Sequence, residues 1–98
     1  MKVINEDLLD EFRQHGLCEW CKAFCSSRDP HHIFARGMGG GGRLDIQENI
    51  VSLCRTCHGR VHAGHILRCD LLAIVAKREN KQQWEIEHAV YAAKRARK

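Results

Sequence analysis

No apolar run in this 98-residue chain approaches the roughly 20 residues that a helix needs to cross a bilayer. The opening stretch, Met1-Lys2-Val3-Ile4-Asn5-Glu6-Asp7, turns acidic at once and lacks the apolar core of a secretory signal. Without an export signal, the six cysteines point to a reducing compartment, where thiols bind metal more often than they pair; the expected location is the cytoplasm. Internal repeats are missing as well, apart from two Cys-x-x-Cys pairs, which excludes a repeat array. Proline is nearly absent, so Asp29-Pro30 is the one place where it breaks the chain and starts a new element. Charge is not lopsided either. A formal +4 permits a nucleic-acid partner without requiring one.

What is present is the composition of an ordinary soluble globular protein, 44% hydrophobic and 29% charged, rather than of a disordered one. The length allows one domain over residues 1–98 with a small core, and such a chain gains from a structural metal. Residues 5–15 suit a helix: Asn5 caps it, Glu6 and Asp7 complement its dipole, and Leu8, Leu9 and Phe12 form an apolar stripe. His31-His32-Ile33-Phe34 reads as a short strand and Asn49-Ile50-Val51-Ser52-Leu53 as a second. Between them, Gly37–Gly42 is too glycine-rich for helix or strand and predicts a loop. A helix begins near Arg55 and ends by Gly64. Two further helices are expected within 70–97, the first capped by Asp70, the second with Trp84, Ile86, Ala89, Val90 and Ala93 as its apolar face.

The chemistry concentrates in Leu53-Cys54-Arg55-Thr56-Cys57-His58-Gly59-Arg60-Val61-His62. Cys54-x-x-Cys57 has the spacing of half a tetrahedral zinc site, and Cys18-x-x-Cys21 supplies the other half. Four thiolates make a closed site whose job is folding. His58 and His62, at i and i+4, project from one helical face, while His58 lies roughly 100° around the helix from Cys57. Two metal sites can therefore share one short helix. Cys25 and Cys69 fit no spacing and are expected as spare thiols packed in the interior. A competing reading of Cys54-Arg55-Thr56-Cys57-His58 is the attachment site of a c-type haem, which would leave Cys18 and Cys21 unexplained.

Asp29-Pro30-His31-His32-Ile33, Asn49-Ile50-Val51-Ser52-Leu53-Cys54 and Cys57-His58-x-x-x-His62 together resemble the HNH endonucleases, in their zinc-knuckle form. The resemblance covers about residues 18–62, and the flanking helices are not part of it. It implies an α+β chain with a ββα-metal (His-Me finger) core, a Cys18/Cys21/Cys54/Cys57 zinc site and helices flanking both ends. It implies a metal-dependent DNA endonuclease that leaves 5′-phosphate and 3′-hydroxyl ends. By position, His32 becomes the general base, Asn49 the organiser that holds it across the long loop, and His31, His58 and His62 the ligands of one divalent ion. Strand alternation agrees with that split, since adjacent side chains point apart. Many members carry aspartate where His31 stands and asparagine where His58 stands. Three imidazoles resemble instead the nuclease domains of bacterial colicins, and nitrogen ligands suit Mn2+, Co2+, Ni2+ or Zn2+ better than Mg2+.

Arg36 and Arg43 beside the glycine loop, and Arg55 and Arg60 on the metal helix, are the candidate phosphate contacts. The basic tail Lys94–Lys98 serves either as a helix end that complements the macrodipole or as a further contact. The partner is expected to be DNA, with no membrane involved. A homodimer and a larger phage or mobile-element complex are both compatible with so small an enzyme. The alternative function is a non-catalytic, zinc-stabilised nucleic-acid-binding module, which keeps the four cysteines but makes no joint use of the four histidines.

Overall fold

The computed structural model describes residues 4–34 and 44–96, and the side chains up to Ala93. The expected glycine loop, with Arg36 and Arg43, and the basic tail side chains fall outside the described residues. Helix α1, Glu6–Arg13, starts where the Asn5 side chain accepts the Leu8 N–H at 3.0 Å, and it buries Leu9. Strands β1 (Gly16–Leu17) and β2 (Phe24–Cys25) form a two-stranded hairpin. Its turn is closed by Cys18 N–H to Ala23 O at 2.9 Å and by Lys22 in the left-handed region, φ 66°.

Strand β3 (Asp29–His32) pairs antiparallel with β4 (Ile50–Leu53), in the register Asp29–Leu53, Pro30–Ser52, His31–Val51 and His32–Ile50. The strand thus begins two residues before the expected His31 and includes the proline. Pro30 is tolerated because the backbone groups of Ser52 face the other way. The Ser52 N–H donates to the Glu19 carboxylate at 2.7 Å, and its carbonyl accepts the Glu19 N–H at 2.9 Å. No ladder bond from Pro30 is needed there. Asn49 closes a 3-10 turn, Gln47–Asn49, rather than opening the strand.

The pleat assigns the two faces of this ribbon. Ser52 points to α1, its hydroxyl donating to Phe12 O at 2.8 Å. Val51 and Leu53 join a core with Cys18, Cys57, Ile66, Leu71, Leu72, Val75 and Ile86. All four residues of β4 are therefore buried, although the sheet has only two strands.

Helix α2 (Arg55–His62) follows β4 directly, and its first turn is capped by the Cys54 sulfur, which accepts the Cys57 N–H at 3.4 Å. Helix α3 (Arg68–Glu79) starts two residues before the expected Asp70. That carboxylate caps from inside the first turn, accepting the Leu67 N–H at 2.9 Å. Asn80, at φ 57°, ends α3, and α4 runs Gln83–Ala96. On α4, Ile86 and Val90 are buried one turn apart, whereas Trp84 is 67% exposed. The expected apolar face is corrected in this respect. At about 100° per residue, Trp84 stands on the opposite side from Ile86 and shares a face with exposed Tyr91. The architecture is a small α+β fold whose centre is a ββα unit, β3–β4–α2.

Candidate metal centres and active site

The four sulfurs of Cys18, Cys21, Cys54 and Cys57 lie within 4.8 Å of one another. Cys21 and Cys54 Sγ are 3.8 Å apart. A tetrahedron with zinc–sulfur bonds of about 2.3 Å has an edge of about 3.8 Å, so the cluster has the dimensions of a structural zinc site. Backbone N–H groups already point at the sulfurs: Cys21 N–H donates to Cys18 Sγ at 3.5 Å, as Cys57 N–H does to Cys54 Sγ. Burial alone would raise the Cys18 thiol, but the backbone groups of Cys21, Cys54 and Trp20 bring it down to about 6. Cys57 is pushed upward, first by burial and then by the neighbouring sulfurs. Four thiolates packed this closely repel one another, and a dication among them relieves both effects.

The second cluster forms where β3 meets α2. Ligand atoms of His31, His58 and His62 lie within 4.8 Å of one another. The Nε2 atoms of His58 and His62 are 3.2 Å apart, close to the edge of about 3.3 Å expected for two imidazoles on one ion. His58 Nδ1 is 3.1 Å from Asp29 Oδ2, so its Nδ1–H donates to that carboxylate and Nε2 is left as the ligand atom. Asp29 and His31 share a face of β3, because they stand two residues apart in an extended strand. One carboxylate and one imidazole of the strand thus meet the helix together. Burial first, and then His58, His62 and His32, lower the His31 imidazole to about 4, which keeps it neutral with a free lone pair. The donor set and spacing fit a divalent cation.

His32, one residue on, turns to the other side of the ribbon. Its Nε2 lies 2.7 Å from Asp45 Oδ1, and the Asp45 side chain is fully buried. Asn49 ties the two ends of the long loop. Its Oδ1 accepts the Phe34 N–H at 2.8 Å, and its Nδ2 donates to Phe34 O at 3.3 Å and to Leu44 O at 3.0 Å. The Asn49 carbonyl also accepts the Ile33 N–H at 2.9 Å. The loop ends are thereby fixed beside His32.

With this arrangement in view, a family profile described as HNH endonuclease matches residues 18–64. Residues 18–64 belong to the HNH endonuclease family. Neither the curated proteins nor the solved structures contain a match to the chain. The HNH stretch contains the hairpin turn and β2, the ββα unit, both candidate metal clusters, His32 and Asn49, while β1 lies just before it. Its small α+β architecture with a four-cysteine cluster is that of a ββα-metal fold in zinc-knuckle form.

Other sequence expectations meet a mixed outcome. Arg55 is 88% exposed and lies 3.6 Å from Asp29, and Arg60 is exposed on the same helix. Cys69 is exposed near the start of α3 and is not an interior thiol, while Cys25 is half-buried and packs against the core. Cys69 faces outward at a helix N-terminus, whereas on β2 it is Phe24 that faces outward. Three acidic residues escaped the sequence reading. Asp29 belongs to the motif Asp29-Pro30-His31-His32-Ile33 and carries no assigned role there, although its place two residues before His31 is a usable signal. Asp45 and Glu19 gave no local sign, because their partners lie 13 or more residues away. Among the described residues, no helix is long and apolar enough to cross a membrane.

Proposed function

We propose that this chain is a metal-dependent DNA endonuclease that hydrolyses phosphodiester bonds to 5′-phosphate and 3′-hydroxyl ends. The observation that carries the reading is the convergence of His31, His58 and His62 within 4.8 Å, next in the chain to His32. A merely structural zinc module has no need of this second cluster, since the four cysteines already supply a closed site.

In this reading His31, His58 and His62 hold one divalent ion, with Asp29 orienting His58. A bound ion supplies stabilisation of the charge that builds on the scissile phosphate and the departing 3′-oxygen. His32 accepts the proton of the attacking water as general base. Asn49 keeps His32 and the returning end of the loop in register. Arg55 and Arg60, with Arg36 and Arg43, grip backbone phosphates and carry no base information by themselves. The all-nitrogen ligand set favours Mn2+, Co2+, Ni2+ or Zn2+ over Mg2+. Zinc at the cysteine cluster holds β1–β2 against α2 and takes no part in the reaction.

The test is conversion of supercoiled plasmid to nicked and linear forms with each of these ions, or with EDTA, followed by analysis of the product ends. Cleavage that needs a divalent ion and leaves 5′-phosphates is expected. DNA retardation without cleavage in any ion would contradict the reading.

A further inference from the structure

Of the described acidic residues, only Asp45 is fully buried, at 2% exposure. A carboxylate out of water is costly unless its oxygens are hydrogen-bonded. Here Oδ2 accepts the Asn5 N–H at 2.8 Å, and Oδ1 faces His32 Nε2 at 2.7 Å. A distance that short marks a charge-assisted bond. An ionised carboxylate only accepts, so the proton between them belongs to Nε2. The position of Asp45 is itself fixed: the carbonyl of the preceding Leu44 is held by the Asn49 amide, which also holds Phe34, two residues after His32. One amide thus sets both the imidazole and the acid that faces it.

Resting on the nuclease reading above, we propose that Asp45 is a positioning residue for the reaction: its buried carboxylate holds His32 in the Nε2–H tautomer and leaves Nδ1 as the nitrogen that receives the proton of the attacking water. In that step a water O–H bond breaks and its proton bonds to Nδ1. The water oxygen forms the new bond to phosphorus while the bond from phosphorus to the 3′-oxygen breaks, and the electron pair leaves on that oxygen. The 3′-oxygen then takes a proton from solvent. Throughout, the imidazolium keeps its Nε2–H on Asp45, which stabilises the positive charge without itself being protonated.

The competing explanation is that Asp45 only anchors the start of α1 through Asn5. Asp45→Asn separates the two, because it retains an oxygen for Asn5 and nearly the same volume. Its amide N–H2, turned to His32, favours the opposite tautomer. The full chain, zinc-loaded and 15N-labelled, is examined at a pH well above the ordinary imidazole range. Two-bond 15N–1H spectra then report which nitrogen of His32 is protonated, its signals being identified by their loss in His32→Ala. Plasmid cleavage kinetics are measured on the same wild-type and Asp45→Asn proteins. The expected result is the Nε2–H form in wild type, a shift towards Nδ1–H in Asp45→Asn, and a fall in kcat of about 10²–10⁴-fold with KM little changed. Wild-type cleavage by Asp45→Asn overturns the role of Asp45. So does a fall in kcat accompanied by an unaltered tautomer and a lowered melting temperature, which is the signature of a mere anchor. Wild-type protein that is inert with every divalent ion overturns the nuclease reading itself, and that outcome is seen without reference to the variant.

Discussion

Single side chains carry two consequences. The His31 imidazole, lowered to about 4 by burial and by its histidine neighbours, has a folded pKa below the ordinary value of about 6.5. Folding therefore favours the neutral form. The associated stability is fully present above about 6.5 and is lost as pH falls towards about 4. An NMR titration without the divalent ion is expected to leave His31 unprotonated well below pH 6.5, and a midpoint at the ordinary value would contradict it. Asp29, in turn, orients His58 through Nδ1 at 3.1 Å. Asp29→Ala should weaken divalent-ion binding by about 10–100-fold in calorimetry while zinc content stays unchanged. Equal affinity would show that the carboxylate does not set the ligand. At this scale the sequence was informative where spacing is local, as in Cys-x-x-Cys and His58/His62 at i and i+4. It was silent about Asp45, whose meeting with His32 depends on how a long loop returns.

Among the elements, one side chain of α3 reaches both the cysteine hairpin and the ββα unit. Arg78 of α3 donates from Nη1 to both Glu19 oxygens at 3.0 and 3.1 Å and to Ile50 O at 3.0 Å. Its Nη2 reaches Gln47 O at 2.7 Å, Nε reaches Glu79 at 2.8 Å, and the guanidinium lies 5.1 Å from the Phe12 ring centroid. Glu19 spends the same carboxylate on the Ser52 N–H of β4. Removing the arginine leaves a mostly buried carboxylate and two carbonyls without it. Arg78→Ala should cost about 3 kcal/mol in urea unfolding of the zinc-loaded protein. A change within experimental error would mean that hydrophobic packing alone holds α3 on the ribbon. Helix and strand positions were largely readable from caps and periodicity, but edges were not. Pro30 entered β3 because Ser52 bonds elsewhere, and Trp84 turned outward because Ile86 and Val90 define the buried face of α4.

At the scale of the whole molecule, a short chain builds its core around one candidate metal cluster and places its proposed chemistry at another. Cys18 and Cys57 are members of the hydrophobic core as well as of the four-sulfur group. Stripping the zinc with a chelator, or Cys54→Ser, should abolish cooperative thermal unfolding, since metal binding and folding are one equilibrium in such small domains. An unchanged melting curve after zinc loss would contradict that dependence. The general plan was legible because two cysteine pairs and two histidine sets recur in an order that chain geometry can satisfy in few ways. The acidic residues that tune those sets were not, since burial decides their partners. The central claim is that His32, not the metal cluster alone, drives DNA cleavage. It is tested most directly by comparing wild type with His32→Ala on supercoiled plasmid, with zinc and divalent-ion content measured on both proteins. The variant is expected to bind both metals as wild type does and not to cut. A variant that cuts at the wild-type rate would contradict it.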